Sequence, residues 1–69
     1  MLLKSNELED IQKEVETARN VAWDNVRLIE DIGDDDEYKM ARDIYSHLLD
    51  AYMDLMNAVS LLEALEARK

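Results

Sequence analysis

The chain of 69 residues has no cysteine, no proline, one glycine and one histidine, and its formal net charge at pH 7 is −9. This length allows one small domain, and the lack of cysteine excludes disulfides and thiolate metal sites. A domain this small usually needs disulfides, a metal or oligomerisation for stability, so we expect oligomerisation. The lack of cysteine also fits a reducing cytoplasm, where we expect the protein to reside.

Charge and hydropathy argue against several classes of partner. A net charge of −9 opposes direct binding to nucleic-acid phosphates and to anionic membranes. No apolar run approaches the roughly 20 residues of a membrane-spanning helix, and we expect no signal peptide. The excess of acids favours a basic protein partner, or it serves only to keep an apolar-rich chain in solution.

The first helix is predicted over residues 6–32. Asn6, followed three residues later by Glu9, has the pattern of a capping box at a helix start. Apolar residues then recur at alternating spacings of three and four, which is the period of a helix and not that of a strand. The predicted seam of this helix comprises Leu8, Ile11, Val15, Ala18, Ala22, Asn25, Ile29 and Ile32.

Asn25 interrupts this otherwise apolar seam. A buried asparagine can set the register and the number of helices in a bundle, at some cost in stability. Alternatively, the helix is rotated slightly, so that Val26 faces inward and Asn25 lies at the edge. The sequence alone does not distinguish these two interpretations.

Trp23 lies outside the seam and close to the polar residues Asn20, Asp24 and Arg27. An exposed tryptophan among polar groups is a common anchor for a binding partner. We therefore treat Trp23 as a candidate anchor, and we favour coverage by another copy of the chain over an external ligand.

A tight turn is predicted at residues 33–35. Gly33 is the natural residue for a left-handed helix C-cap because it lacks a Cβ. Asp34, with Glu37 three residues later, has the pattern of a second capping box. Six acids fall within eight residues here, and we call this segment the acidic turn: Glu30, Asp31, Asp34, Asp35, Asp36 and Glu37.

The second helix, predicted over residues 36–67, carries a continuous heptad seam. Tyr38, Tyr45 and Tyr52 repeat every seven residues, and we interpret them as core residues with hydroxyls at the rim, not as a cofactor site. Further apolar residues flank the seam on both sides, so this helix is more apolar than one neighbouring helix would cover. The seam is completed by Ala41, Leu48, Leu55, Val59 and Leu62.

These elements predict an all-α fold, an antiparallel two-helix hairpin that forms a single domain over residues 1–69. Because the second helix is too apolar for one neighbour, we expect two copies to pair into a four-helix bundle. A homodimer is favoured. The predicted oligomer interface comprises Ile44, Leu48, Tyr52, Leu55, Met56, Val59 and Leu62.

Residues suited to catalysis or metal binding are few. His47 lies one turn from Asp43 and near Asp50, and we interpret this group as a surface pair opposite the seam, not as a metal site. Only one histidine is available to activate any of the three serines. The acidic turn lacks the ligand spacing of a twelve-residue calcium loop. We therefore expect no enzyme activity, no cofactor and no metal.

Acidic side chains mark a candidate partner-binding surface. Beyond the acidic turn, aspartates follow the outer face of the second helix, and no Lys or Arg occurs between Arg42 and Arg68. Such a surface would suit a basic protein, for example a nucleic-acid enzyme whose groove accepts carboxylates in place of DNA phosphates. The predicted partner-binding residues are Asp34, Asp35, Asp36, Glu37, Asp43, Asp50 and Asp54.

Two functions therefore lead from the sequence. The first is a small acidic protein, of the kind that mobile elements encode, which binds and inhibits a basic partner, and its affinity should fall steeply with salt. The second is a structural or adaptor module that assembles through its apolar helix face. That function predicts that loss of Leu55, Val59 or Leu62 abolishes assembly. A metal-dependent enzyme ranks last.

Overall fold

The computed structural model describes residues 3–68 as two helices packed antiparallel. Helix α1 spans Ser5–Ile32 and helix α2 spans Asp35–Ala67. Gly33 and Asp34 connect them, and the hairpin measures 54 × 17 × 14 Å. Met1, Leu2 and Lys69, which the predicted domain also includes, lie outside the described residues. The predicted all-α hairpin is confirmed.

The seam of α1 differs from the predicted seam at every second position. Val26 is only 2% exposed, whereas Asn25 is exposed. The interpretation with a rotated helix is therefore confirmed, and a buried asparagine at this position is wrong. The buried or half-buried positions that form the seam of α1 are Ser5, Leu8, Gln12, Val15, Arg19, Ala22, Val26 and Ile29.

Two polar residues, Gln12 and Arg19, occupy seam positions where the apolar pattern predicted Ile11 and Ala18. Long polar side chains tolerate such positions because their methylene stems pack while their polar ends reach the rim. The guanidinium carbon of Arg19 lies 4.6 Å from the ring centroid of Tyr52, which is a cation–π contact. Tyr52 of α2 thus stabilises the orientation of α1 in which Arg19 faces the seam. The apolar periodicity of α1 alone does not predict this orientation.

Helix α2 packs with the seam that its heptads predict. Ala41 and Val59 are buried, and Tyr38, Tyr45 and Tyr52 are half-buried. The tyrosines are therefore packing residues. Across the seam, the ring of Tyr45 packs against that of Trp23 and the ring of Tyr52 against the guanidinium of Arg19.

The turn between the helices agrees with one prediction and contradicts another. The carboxylate of Asp34 accepts a 2.8 Å hydrogen bond from the N–H of Glu37, and the Glu37 carboxylate accepts a 3.2 Å bond from the N–H of Asp34. The predicted capping box is confirmed. Gly33 is not a left-handed C-cap, because its φ is −97°. A Cβ on Gly33 would lie 2.6 Å from Cγ2 of Ile29, so close approach of the preceding turn requires the glycine.

Helix α1 does not begin with the predicted capping box of Asn6 and Glu9. Lys4 is its N-cap residue and makes no side-chain cap. Instead, the carboxylate of Glu66 accepts a 3.0 Å bond from the N–H of Ser5 and a 2.6 Å bond from the Ser5 hydroxyl. A carboxylate at this position satisfies an unpaired N–H and complements the helix dipole. The end of α2 thus caps the start of α1, at what we call the open end of the hairpin.

Candidate interaction surfaces

The hairpin buries few of its apolar side chains. Among the described residues only Ala22, Val26, Ala41 and Val59 are buried, and two of these four are alanines. A small chain without disulfides depends on apolar burial for its stability. Twelve large apolar side chains nevertheless remain exposed, and their distribution defines the candidate surfaces.

Nine of these twelve side chains lie on one broad side of the hairpin. Eight of the nine lie in the helices and follow the same flank of each seam, since their spacings return them to one side of the helix, and Leu3, just before α1, lies beside Leu61 and Leu65. Because the helices are antiparallel, the two flanks lie next to each other and form a single surface. We call this surface the apolar face, and it comprises Leu3, Ile11, Val21, Leu28, Ile32, Met40, Ile44, Leu61 and Leu65.

The apolar face is bulky at both ends and small in the middle. Ile32, at the turn end, is its most exposed large side chain, at 75%. Ala18 and Ala51 occupy the middle, bordered by the polar residues His47 and Asp54. An open depression of about 340 Å³ lies near the open end, and its lining is Leu3, Leu8, Ala58, Leu61, Leu62 and Leu65.

The opposite broad side carries the candidate anchor Trp23. Its ring lies 5.0 Å from the ring of Tyr45, centroid to centroid, with the planes tilted by 48°. Such a tilted pair is a favourable aromatic arrangement. Trp23 remains 45% exposed, and Met53 and Met56 are the other two exposed large apolar residues of this side. Trp23 is thus held by α2 and points away from the apolar face.

A second depression, of about 470 Å³, lies along α2 next to Tyr45. Two bases contribute to it, and the guanidinium carbon of Arg42 lies 5.9 Å from the ring centroid of Tyr38. Positive charge therefore interrupts the acidic surface between the turn and the aspartates of α2. The lining residues are Lys39, Arg42, Asp43, Tyr45, Ser46 and Leu49.

The acids of the turn have local roles in the fold. Asp34 and Glu37 are engaged in the capping box. Asp35 and Asp36 lie in the first turn of α2, where the helix dipole favours negative charge. All four are exposed. A partner would therefore compete with helix capping for two of the seven predicted partner-binding residues.

The aspartates further along α2 are exposed and have no capping role. Asp43 and Asp50 lie in line on the outer edge of the helix, because seven residues are close to two helical turns. Asp54 follows four residues later and is rotated toward the rim of the apolar face. The structure therefore brings Asp43 and Asp50 together on one edge, with Asp54 at its border.

The predicted oligomer interface is distributed over three locations. Ile44 lies on the apolar face, and Met56 lies on the opposite broad side. The remaining members are buried or half-buried in the hairpin, and they pack along the seam of α2: Leu48, Tyr52, Leu55, Val59 and Leu62.

Sequence reasoning did not assign most of the apolar face. The periodicity of the first helix predicts Ile11 and Ile32 in its seam, whereas both are exposed on the apolar face. The available signal was the recurrence of Met40, Ile44, Leu61 and Leu65 on one flank of α2, with Ala51 and Ala58 between them. That flank becomes an interface candidate only when the matching flank of α1 is known.

Within residues 3–68, neither a candidate metal cluster nor a membrane-spanning helix is present. No three His, Asp or Glu side chains of residues 3–68 lie close enough together to hold a metal ion. Neither described helix contains an apolar stretch long enough to cross a bilayer. No protein-family model matches the chain, and no curated protein or solved structure shows significant similarity to it. The features of the hairpin that bear on function are therefore its surfaces.

Proposed function

We propose that this protein is a non-enzymatic helical module that pairs with a second copy into a four-helix bundle. The observation that supports this proposal is the location of nine of the twelve exposed large apolar side chains on the apolar face. Contiguous apolar patches of this extent commonly mark interaction sites. A second copy supplies the same surface, so a two-fold axis covers both apolar faces at once.

The area of the apolar face suits a stable homodimer. A broad side of 54 by 17 Å covers roughly 900 Å², and a standard protein interface buries about 800 Å² per partner. Complete burial of a large apolar side chain contributes about 1.5–3 kcal/mol.

Two substitutions on α2 form a matched test of this proposal. Ile44 and Met53 are 54% and 56% exposed, but Ile44 lies on the apolar face and Met53 does not. We expect Ile44→Glu to convert the dimer into a monomer in light-scattering mass measurements at micromolar concentration, because it places a carboxylate in the interface. Met53→Glu should retain the dimer mass. A wild-type mass equal to one compact chain, or dissociation caused only by Met53→Glu, would contradict the proposal.

The acidic edge of α2 supports a second function, which is binding and inhibition of a basic protein such as a nucleic-acid enzyme. Asp43 and Asp50 are exposed, lie in line and are not engaged in capping. This edge lies outside the centre of the apolar face, so a dimer would present two acidic edges to partners. Complementary charge at such a rim raises the association rate and the selectivity of binding.

A pair of double variants tests the acidic edge. Asp43→Asn with Asp50→Asn removes two negative charges from α2, and Asp10→Asn with Asp24→Asn removes two from the outer edge of α1. We expect the wild-type protein to inhibit DNA cleavage by a purified nuclease with a basic active-site groove, with inhibition that falls steeply as salt rises. The α2 double variant should lose inhibition and the α1 double variant should keep it. Equal loss in both would contradict a specific role for the α2 edge.

A further inference from the structure

We infer that the two hairpins pair with their ends reversed, so that Ile32 of each copy enters the leucine-lined depression at the open end of the other copy. This inference rests on the proposed dimer and adds its geometry. It concerns which end of one hairpin meets which end of the other. Three properties of the apolar face support it.

The first property is complementary shape. Ile32 is the last residue of α1, and 75% of its surface is exposed. The depression of about 340 Å³ is a wide, shallow apolar area on the same face at the other end of the hairpin. A projecting apolar side chain on one helix pair can pack into such a depression between the side chains of another pair.

The second property is position along the hairpin. The contact between Arg19 and Tyr52 places Ala18 and Ala51 within about 3 Å of the same level, because one residue back along each antiparallel helix is a step of 1.5 Å in opposite directions. Ile32 follows Ala18 by 14 residues toward the turn, and Leu65 follows Ala51 by 14 residues toward the open end. Each interval is about 21 Å at 1.5 Å per residue.

A two-fold axis across the middle of the face therefore brings Ile32 of one copy level with Leu65 of the other. The small side chains of Ala18 and Ala51 lie near this axis and allow the helices to approach closely. In the alternative arrangement, with the same ends together, the two Ile32 residues would lie at the same level and the two depressions would face each other.

The third property is the distribution of charge. The acidic turn carries six acids in eight residues, so pairing of the same ends would place two such segments next to each other. The open end has charges of both signs, with Lys4 and Arg68 close to Glu63 and Glu66 along the chain. At physiological salt, charges are screened beyond about 8 Å, and the hairpin is 54 Å long. Reversed ends therefore separate the two acidic turns beyond the range of their repulsion.

Two single-cysteine variants of the full chain test the orientation, since the natural chain has no cysteine. Ile32→Cys and Leu65→Cys are unfolded and refolded together, and a short bis-maleimide then crosslinks neighbouring thiols. We expect a crosslinked dimer in the mixture and none with either variant alone, because residues 32 of the two copies would lie at opposite ends. Light scattering on each variant establishes that the dimer mass is retained.

The possible results test the reversed orientation and the proposed dimer separately. Crosslinking of each variant alone, without a further product in the mixture, would overturn the reversed orientation while leaving the dimer in place. A dimer mass with no crosslink in any sample would also overturn it, since Ile32 would then not contact the depression. A monomer mass for the wild-type chain would instead remove the proposed dimer itself.

Discussion

The backbone N–H and the hydroxyl of Ser5 both donate to the carboxylate of Glu66, which lies 61 residues further along the chain. This part-buried pair joins the first turn of α1 to the last turns of α2. It replaces the local cap that Asn6 and Glu9 would have supplied. Helix capping and closure of the hairpin therefore depend on the same carboxylate.

Replacement of Glu66 by alanine should destabilise the fold. Loss of the helix cap and of two hydrogen bonds is expected to lower the free energy of unfolding by about 1–2 kcal/mol. Urea denaturation followed by circular dichroism measures this change, at a fixed protein concentration because the proposed dimer would make stability depend on concentration. Glu63→Ala removes the same charge from an exposed position and should change the free energy by less than about 0.5 kcal/mol. Equal effects of both substitutions would mean that the Ser5 pair contributes nothing specific.

Gly33→Ala should also destabilise the hairpin. A φ of −97° suits alanine, so backbone entropy alone would predict stabilisation by about 0.4–1 kcal/mol. The new Cβ would lie 2.6 Å from Cγ2 and 3.0 Å from the carbonyl oxygen of Ile29, and we expect a net loss of about 1–3 kcal/mol. Gly33→Ala should lower the free energy of unfolding by less in a protein that already carries Ile29→Ala than in the wild type, because the closest atom is then absent. Stabilisation by Gly33→Ala in thermal unfolding would show that the turn relaxes freely.

The rotation of α1 predicts opposite behaviour for two adjacent residues. Val26→Ala should lower the free energy of unfolding by about 2 kcal/mol, since Val26 is 2% exposed and its methyl groups leave a cavity. Asn25→Ala should be neutral or stabilising by about 0.5 kcal/mol, because Asn25 is exposed and alanine favours the helix. Chemical denaturation of both variants measures the difference. A larger loss for Asn25→Ala would indicate the register with a buried asparagine.

Substitutions of Asp34 and Asp35 distinguish the contribution of helix capping to stability from that of negative charge in the acidic turn. Asp34→Ala removes the side chain that accepts the Glu37 N–H and should cost about 1 kcal/mol. Asp35→Ala removes the same charge from the first turn of α2 but no cap, and should cost only about 0.3–1 kcal/mol through the helix dipole. Thermal unfolding at two salt concentrations distinguishes them, because screening weakens the dipole effect and leaves the cap. Identical salt dependence would argue against a capping role for Asp34.

The candidate surfaces could be predicted only in part. The excess of apolar residues on α2 and the acids of the turn and of the outer edge were visible as patterns in the sequence. Ile32 was assigned to the seam of α1, and in the structure it is the most exposed large apolar residue of the apolar face. The sequence misplaces Ile32 because the flank that it shares with Ile11 and Ala18 is more apolar than the flank that faces α2, where Gln12 and Arg19 are polar.

By itself, the sequence determined the two helices, the turn with its Asp34 capping box, and the seam of α2 with its three tyrosines. These features depend on periodicity and on hydrogen bonds between neighbours in the chain, which local patterns report. Only the tertiary structure decided the rotation of α1, the cap supplied by Glu66, the steric need for Gly33 and the location of the apolar face. Each of these depends on contacts between the two helices or on the packing of the turn, such as Arg19 on Tyr52, and these contacts arise only when the chain is folded.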